Sequence, residues 1–420
     1  MSRIILHLDM NSYFATMEQQ AYPSLRGKPV GVAGKGQNER TVITGASIEA
    51  KKFGLYSGIS TWEAKRLCPE LIIIPADYDR YIFTSKRIFS LLERFTPTVD
   101  VFSIDECFLE LPNSTDWATA EKMAHQIKKL IQTQIGSWLT CSIGISYGKT
   151  LAKLASELQK PDGLVVIRLE TFAKMAAVTP VQELCGVGHR IRPRLNQLGI
   201  TTISELGAAP PKMLIQTFGN HTGSWLHRIG NGLDDDILRS FRDLPQEKSV
   251  GHSYTLPRDV NSLEDAKKVL LLLSERVGVR LRRKNLIGRT VSVYIRFNDR
   301  TGWGQRKCQK EFVLDGYQIY QAGVQLIQYL PPSRPIRLVA ITISDLAKQT
   351  ETTRPLFETD RRHEQLIKAV DRVNSRYGEF TVHRAVLAKI KSRIFNLPDG
   401  RVKRLYLPQV TEVNPFTKRI

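Results

Sequence analysis

The chain has few cysteines, a deficit of acids and no long apolar run, and each shortage closes off a class of protein. Its five cysteines, Cys68, Cys107, Cys141, Cys185 and Cys308, lack any paired spacing. That excludes a disulfide framework and a cysteine zinc module, and it fits reduced thiols in the cytoplasm. Apolar runs such as residues 269–273 fall far short of the roughly 20 residues needed to cross a bilayer. Residues 4–8 form an apolar run that ends on an acid, with no cleavage site after it, so they read as a folded strand and not a signal peptide. Internal repeats and low-complexity segments are also missing. Against 61 Lys and Arg stand only 41 Asp and Glu, a net charge of +20. Such an excess points to a polyanionic partner, and without a basic amphipathic helix for a membrane surface, nucleic acid is the expected one.

What is present is an α+β pattern across 420 residues, enough for several domains. Residues 3–9 read as a buried strand, followed by a helix to about residue 20. Residues 22–75 hold short strands and two short helices. A long amphipathic helix follows over 78–94, then strands over 98–104 and 107–111, a helix over 116–135, a strand over 139–146 and a helix from Lys149. With 22–75 set aside, the order is that of a split βαβ, ferredoxin-like unit. Its first and second strands run parallel with the third between them. The end of strand one, at Asp9, should therefore lie beside the turn at Asp105 and Glu106. Residues 170–240 read as short helices around the turn Gly186-Val187-Gly188, residues 241–251 as a polar linker, and 252–395 as a second two-layer domain. No element is assigned to the tail over 396–420.

Three acids brought to one place are costly unless cations neutralise them. A set of oxygen donors suits Mg²⁺ or Mn²⁺ and disfavours zinc. Two such ions about 4 Å apart serve an in-line displacement at phosphorus. The residues expected to hold them are Asp9, Asp105 and Glu106 with the backbone carbonyl of Met10, and Asp105 and Glu106 are the expected catalytic pair.

The segments LDMNSYFATME, SIDECFLEL and GISYGKTLAKLASELQKPDG resemble the Y-family translesion DNA polymerases, in particular the DNA polymerase IV group, and the likeness runs to about residue 390. It implies a right-hand architecture: a ferredoxin-like palm (1–19 and 76–167), small fingers (20–75), a helical thumb with a helix-hairpin-helix (168–240) and an α/β little finger (252–395). It also implies low-fidelity nucleotidyl transfer from a dNTP to a primer on template DNA by a monomer. Phe14 matches the family's steric gate, with the Tyr13 backbone N–H beside it, and Lys160 matches a triphosphate-binding lysine. The family's fingers Tyr and Arg are here Ile48 and Lys51, which keeps a cation but loses a guanidinium fork and a phenol. Gly148 stands where the family commonly carries Asn.

For DNA, the turn at Gly186 and Gly188 with Arg190 nearby reads as a phosphate grip. The basic stretch 276–310, with Arg282, Arg283, Arg289 and Arg296, has much strand character; alternation puts cations on one face and Val291, Val293 and Ile295 on the other, a surface that holds the backbone without sequence choice. Leu356 and Phe357 are the nearest counterpart of a sliding-clamp peptide. Two other classes use part of the pattern. A polymerase-shaped accessory protein would suit the changes at Ile48 and Lys51, and primer extension separates it. A repair glycosylase or lyase would use the helix-hairpin-helix but leaves Asp105, Glu106 and Phe14 without a role, and base release without nucleotides would reveal it.

Overall fold

A computed structural model describes residues 3–34, 40–243, 246–331, 334–349 and 358–388. Its contacts divide the chain into two units, one running to Leu244 and the other starting at Pro245.

The first unit opens with β1 (Ile5–Met10) and α1 (Tyr13–Ala21). A small sheet follows from β2 (Val30–Ala33) and β3 (Ile43–Ala46), with α2 (Ile48–Lys51), α3 (Thr61–Leu67) and β4 (Ile72–Pro75). In this sheet β2 lies in the centre, antiparallel to β3 and parallel to β4. Ser47 and Ser60 cap α2 and α3 by accepting from Ala50 and Glu63 backbone N–H groups. Then come α4 (Tyr78–Leu92), β5 (Val99–Val101), β6 (Glu106–Glu110), α5 (Trp117–Leu130), β7 (Cys141–Ser146), α6 (Lys149–Leu158) and β8 (Leu164–Val166). Asp77 and Asp116 cap α4 and α5.

The central sheet runs β5-β6-β1-β7-β8. β1 is antiparallel to both β6 and β7, and β5 is antiparallel to β6, so β5 runs parallel to β1 with β6 between them. That is the expected ferredoxin-like arrangement with β8 added at one edge. Strand alternation divides β1 into two faces. Leu6, Leu8 and Met10 pack into the core with Ile88 and Leu92 of α4 and Ala124 and Ile127 of α5. Ile5, His7 and Asp9 turn the other way, and Ile5 meets Phe108 and Ala152, the latter on α6. α6 sits very close to the sheet, since a Cβ on Gly144 would overlap the Ala152 carbonyl oxygen and the Ser156 backbone nitrogen.

A helical segment completes this unit: α7 (Leu169–Val178), α8 (Arg192–Gln197), α9 (Ile203–Ala208), α10 (Pro211–Phe218) and α11 (Asn220–Gly230). They share a core that includes Phe172, Leu195, Ile203, Leu214 and Leu226.

The second unit contains β9 (Ser249–Val260), α12 (Leu263–Arg283), β10 (Leu286–Phe297), β11 (Gly302–Val313), α13 (Gly316–Ile327), β12 (Ile336–Lys348) and α14 (Glu358–Tyr377). The antiparallel sheet order is β11-β10-β12-β9. Val291, Val293, Ile295, Val339, Ile341 and Ile343 form one core with Leu270, Val277 and Ile319 of α12 and α13. The helices thus cover one face of this sheet. Residues 241–251, read from sequence as a linker, already enter β9 at Ser249.

Candidate active site

The end of β1 meets the turn between β5 and β6. Asp9 is the register partner of Glu106, and the Met10 backbone N–H donates to the Asp105 carbonyl at 2.9 Å. Three acids from distant stretches are therefore brought to one sheet end. Their carboxylates, however, engage separate neighbours. Asp9 lies 3.1 Å from Lys160 Nζ. Asp105 accepts from the Ser103 hydroxyl at 2.5 Å. Glu106 pairs with Lys153, and its Oε2 is 3.2 Å from His7 Nε2. Among the described residues no three His, Cys, Asp or Glu side chains converge as a ligand set. The backbone thus brings the three acids to one sheet end, while their carboxylates take separate partners and do not close into the shared cage expected from the sequence.

The electrostatics distinguish the three. Burial raises the Asp9 carboxyl above its usual value, and the charge of Lys160 offsets this only in part. Burial likewise raises Asp105, with the neighbouring Glu106 adding to the effect and the Ser103 hydroxyl opposing it. Burial pushes Glu106 up too, but contacts from His7 and Lys153 outweigh it and hold the group at about 2. Two acids are thus left under-neutralised beside a third that is fully ionised. With hard oxygen donors only, that environment fits a divalent cation.

His7 and Lys153 were not singled out in the sequence, although a signal existed. His7 precedes Asp9 by two residues and so shares its sheet face. Lys149 and Lys153 are four apart and share a face of α6. His7 is fully buried, with Nδ1 2.7 Å from Ser156 Oγ and its ring 4.5 Å from that of Phe108. Lys149 pairs with Asp100 at 2.7 Å.

Beside the acids, Phe14 stacks on Tyr81 with ring centroids 4.7 Å apart and meets Tyr78 edge-on at 6.0 Å. The Cβ position of Gly45 lies only 3.0 Å from Phe14 Cβ, so the small sheet closes against this ring. The Tyr13 side chain is buried and donates to the Tyr81 carbonyl at 2.7 Å, which leaves only its backbone for a ligand. Lys51, at the end of α2, has its amine held below the usual value by partial burial and then by the charge of Lys160, with Asp9 and Asp105 opposing. Lys51, Lys160, Asp9 and Asp105 are therefore in electrostatic reach of one another.

The residues expected to hold DNA fare differently. Gly186 adopts φ +109 and has the Trp225 ring beneath it, so the turn requires glycine there. Gly188 has open space at its Cβ position and Arg190 is exposed. Arg282 is engaged within the fold. It lies on the helical side of the second unit, where its guanidinium grips both carboxylate oxygens of Asp371 at 2.6 and 2.8 Å and donates to the Leu314 carbonyl. Arg283 pairs with Glu379 at 3.3 Å. Helix periodicity turns both from the open sheet face. Arg289 sits 3.2 Å from Asp345, and Arg296 is exposed beside Tyr294.

Alternation along β10 puts Val291, Val293 and Ile295 in the core and leaves the opposite sheet face open, as the sequence pattern leads one to expect. The register aligns Ser249, Ser253 and Thr255 of β9 with Ser344, Ala340 and Leu338 of β12, and Thr290, Ser292, Tyr294 and Arg296 of β10 with Cys308, Arg306, Gly304 and Gly302 of β11. This face is rich in hydroxyls and carries Arg296 and Arg306, which suits a phosphate backbone. Leu356 and Phe357 lie outside the described residues.

Comparisons with known proteins identify the family and the fold. Residues 8–157 match the impB/mucB/samB family, residues 247–356 that family's C-terminal domain, and residues 182–234 a domain described as DNA polymerase-iota, thumb domain. The chain is 37% identical to DNA polymerase IV of Moorella thermoacetica, over 91% of this chain and 95% of that one. It is 35% identical to DNA polymerase IV of Pelotomaculum thermopropionicum, over 91% and 94%. A solved Y-family DNA polymerase chimera, Dbh-Dpo4(243-245)-Dbh, shares the fold with a TM-score of 0.74 at 22% identity, covering 82% of this chain and 99% of that one.

Proposed function

The chain belongs to the impB/mucB/samB family of Y-family DNA polymerases, in the DNA polymerase IV group, and from that premise we propose that Asp9, Asp105 and Glu106 hold the metals of its reaction. It is a template-directed, lesion-bypassing DNA polymerase that uses primed DNA, deoxynucleoside triphosphates and divalent metal ions. A non-catalytic accessory role is disfavoured by the polymerase relatives and by the presence of all three acids.

The observation that carries the site assignment is the pairing of Asp9 with Glu106 beside Asp105 at one sheet end. Magnesium is the ion we assign, with manganese as a substitute, since every donor is a hard oxygen. Two such ions, when bound, activate the primer hydroxyl and stabilise the leaving pyrophosphate. Met10 contributes its carbonyl to the same end of β1. Phe14, wedged between Tyr81 and Tyr78, cannot retreat from a 2′-hydroxyl and so excludes ribonucleotides. Lys51 and Lys160 supply positive charge for the triphosphate, and the Tyr13 backbone N–H faces it.

We assign the palm to 1–19 and 76–167, the fingers to 20–75, the thumb to 168–240 and the little finger to the second unit. Gly186, Gly188 and Arg190 grip phosphate from the thumb, and Arg289, Arg296 and Arg306 from the open sheet face. The enzyme works as a monomer in the cytoplasm, and Leu356 and Phe357 offer a weak anchor to the sliding clamp.

Primer extension with Mg²⁺ tests the assignment on undamaged and damaged templates. Asp105→Ala is expected to lower single-nucleotide insertion by at least about 100-fold. Synthesis by Asp105→Ala at the wild-type rate would remove the acids from the reaction.

A further inference from the structure

α6 carries the site's second layer: Lys153 to Glu106, Ser156 to His7, and just past its end Lys160 to Asp9. Its first turn nevertheless has no cap of its own. The N-cap position is Gly148, which has no side chain to accept from the free backbone N–H groups. The Leu151 N–H instead donates to Asp234 Oδ2 at 3.0 Å, from 83 residues away.

Gly148 makes this contact possible. Its φ of −137 and ψ of 157 are extended values that any residue adopts, so conformation does not call for glycine. Space does, because an added Cβ would overlap Asp234 Cβ, Cγ and Oδ2. The segment bearing Asp234 is pinned on both sides. Gly232 turns at φ +73 against the Tyr147 hydroxyl and Phe172, and Leu238 packs with Ile5, Phe108 and Ala152. Between them Arg3 donates to the Asp236 carbonyl at 2.7 Å, and Arg228 pairs with Asp235. A carboxylate held in this way satisfies an orphan donor and places negative charge at the positive end of the helix.

We propose that Asp234 is a positioning residue: from the end of the thumb segment it caps α6 across the space left by Gly148 and so sets where Lys153, Ser156 and Lys160 stand against the acids. The functional half rests on the site assignment above; the cap itself does not.

Amide hydrogen exchange in metal-free protein tests the cap, and single-nucleotide insertion with Mg²⁺ tests the positioning. Asp234→Ala is expected to lower protection of the Leu151 amide by about 2-fold to 30-fold and kcat by about 10-fold. Asp234→Asn, which keeps an acceptor oxygen, should retain most of both. Gly148→Asn is the sharper probe because its effect reverses with background. In the wild type the new side chain collides with Asp234 and protection falls. In Asp234→Gly, which removes the Cβ as well as the carboxylate, it occupies the vacated space, caps the helix locally, and restores both protection and kcat. Unchanged Leu151 protection in Asp234→Ala, or the same effect of Gly148→Asn in both backgrounds, overturns the cap. Protection restored without kcat overturns the positioning role. A wild type that extends no primer would instead defeat the site assignment, and the exchange measurements would still decide the cap.

Discussion

At the scale of single residues, the site combines groups that announce themselves with groups that do not. Asp9, Asp105 and Glu106 stand where strands end or turn, so the strand pattern around them reveals them, while Phe14 is legible through the family resemblance of its segment. His7, Ser103 and Lys153 act through neighbours in space. Nothing about an isolated lysine on an amphipathic helix says that Glu106 is its partner. Lys51 is the residue whose chemistry is most open to measurement. Partial burial and then the charge of Lys160 hold its amine below the ordinary value, with Asp9, Glu157 and Asp105 opposing. If Lys51 meets the triphosphate as proposed, a single-point ammonium would do so without the planar fork of a guanidinium. Ile48, one turn earlier on α2, adds no hydroxyl. Replacing both, Ile48→Tyr with Lys51→Arg, is expected to lower the nucleotide KM by about 5-fold, about 1 kcal/mol of added binding, with little change in kcat. Steady-state single-nucleotide insertion measures it. A KM that stays level or rises would mean that α2 does not face the triphosphate.

At the scale of elements, the order of the first unit was legible because each helix and strand keeps a clean period. The exceptions have physical reasons. β4 and β8 are short apolar runs that pair parallel, and they show no alternation to count. β9 and β11 are the two edges of the second sheet, where exposed polar and charged residues blur the strand pattern, so residues 249–251 read as linker in the sequence although they begin β9. β5 stops at Val101 because the chain turns there to present Asp105. The closeness of α6 to β7 could not be read at all, since a glycine in a strand announces a close approach but not its partner. That contact yields a prediction. Gly144→Ala would drive a methyl into the Ala152 carbonyl and the Ser156 backbone nitrogen, neither of which can rotate aside. The expected cost is about 3 kcal/mol or more, seen as an earlier urea transition of the first unit and loss of polymerase activity with it. A variant as stable as the wild type would show that α6 can lift from the sheet, and its role as a fixed platform would fall.

At the scale of the whole molecule, the question is where the net charge of +20 is put to use. Not every arginine in the basic stretch faces a partner. Arg282 is held by Asp371 and belongs to the packing of α12 against α14, whereas Arg296 and Arg306 lie on the open sheet face opposite the helices. Charge counted along the sequence cannot separate these roles: alternation sorts the residues of β10, but nothing near Arg282 in the sequence names Asp371, 89 residues on, as its partner. Binding to DNA does separate them. A protein that neutralises several phosphates releases their counterions, so the association constant falls steeply with salt, by about 0.9 log units per log unit of salt for each contact on duplex. Primed duplex titrated from 50 to 200 mM salt is expected to lose affinity by about 10³-fold or more if six or more phosphates are engaged. Arg296→Ala with Arg306→Ala should reduce the slope by about 2, with an equal effect on any sequence. Arg282→Ala should leave the slope unchanged and instead lower the unfolding temperature of the second unit, since it strands Asp371 without its partner. If the Arg282 variant flattens the salt dependence while the pair on the sheet does not, the DNA lies on the helical side and the open face has been assigned the wrong role.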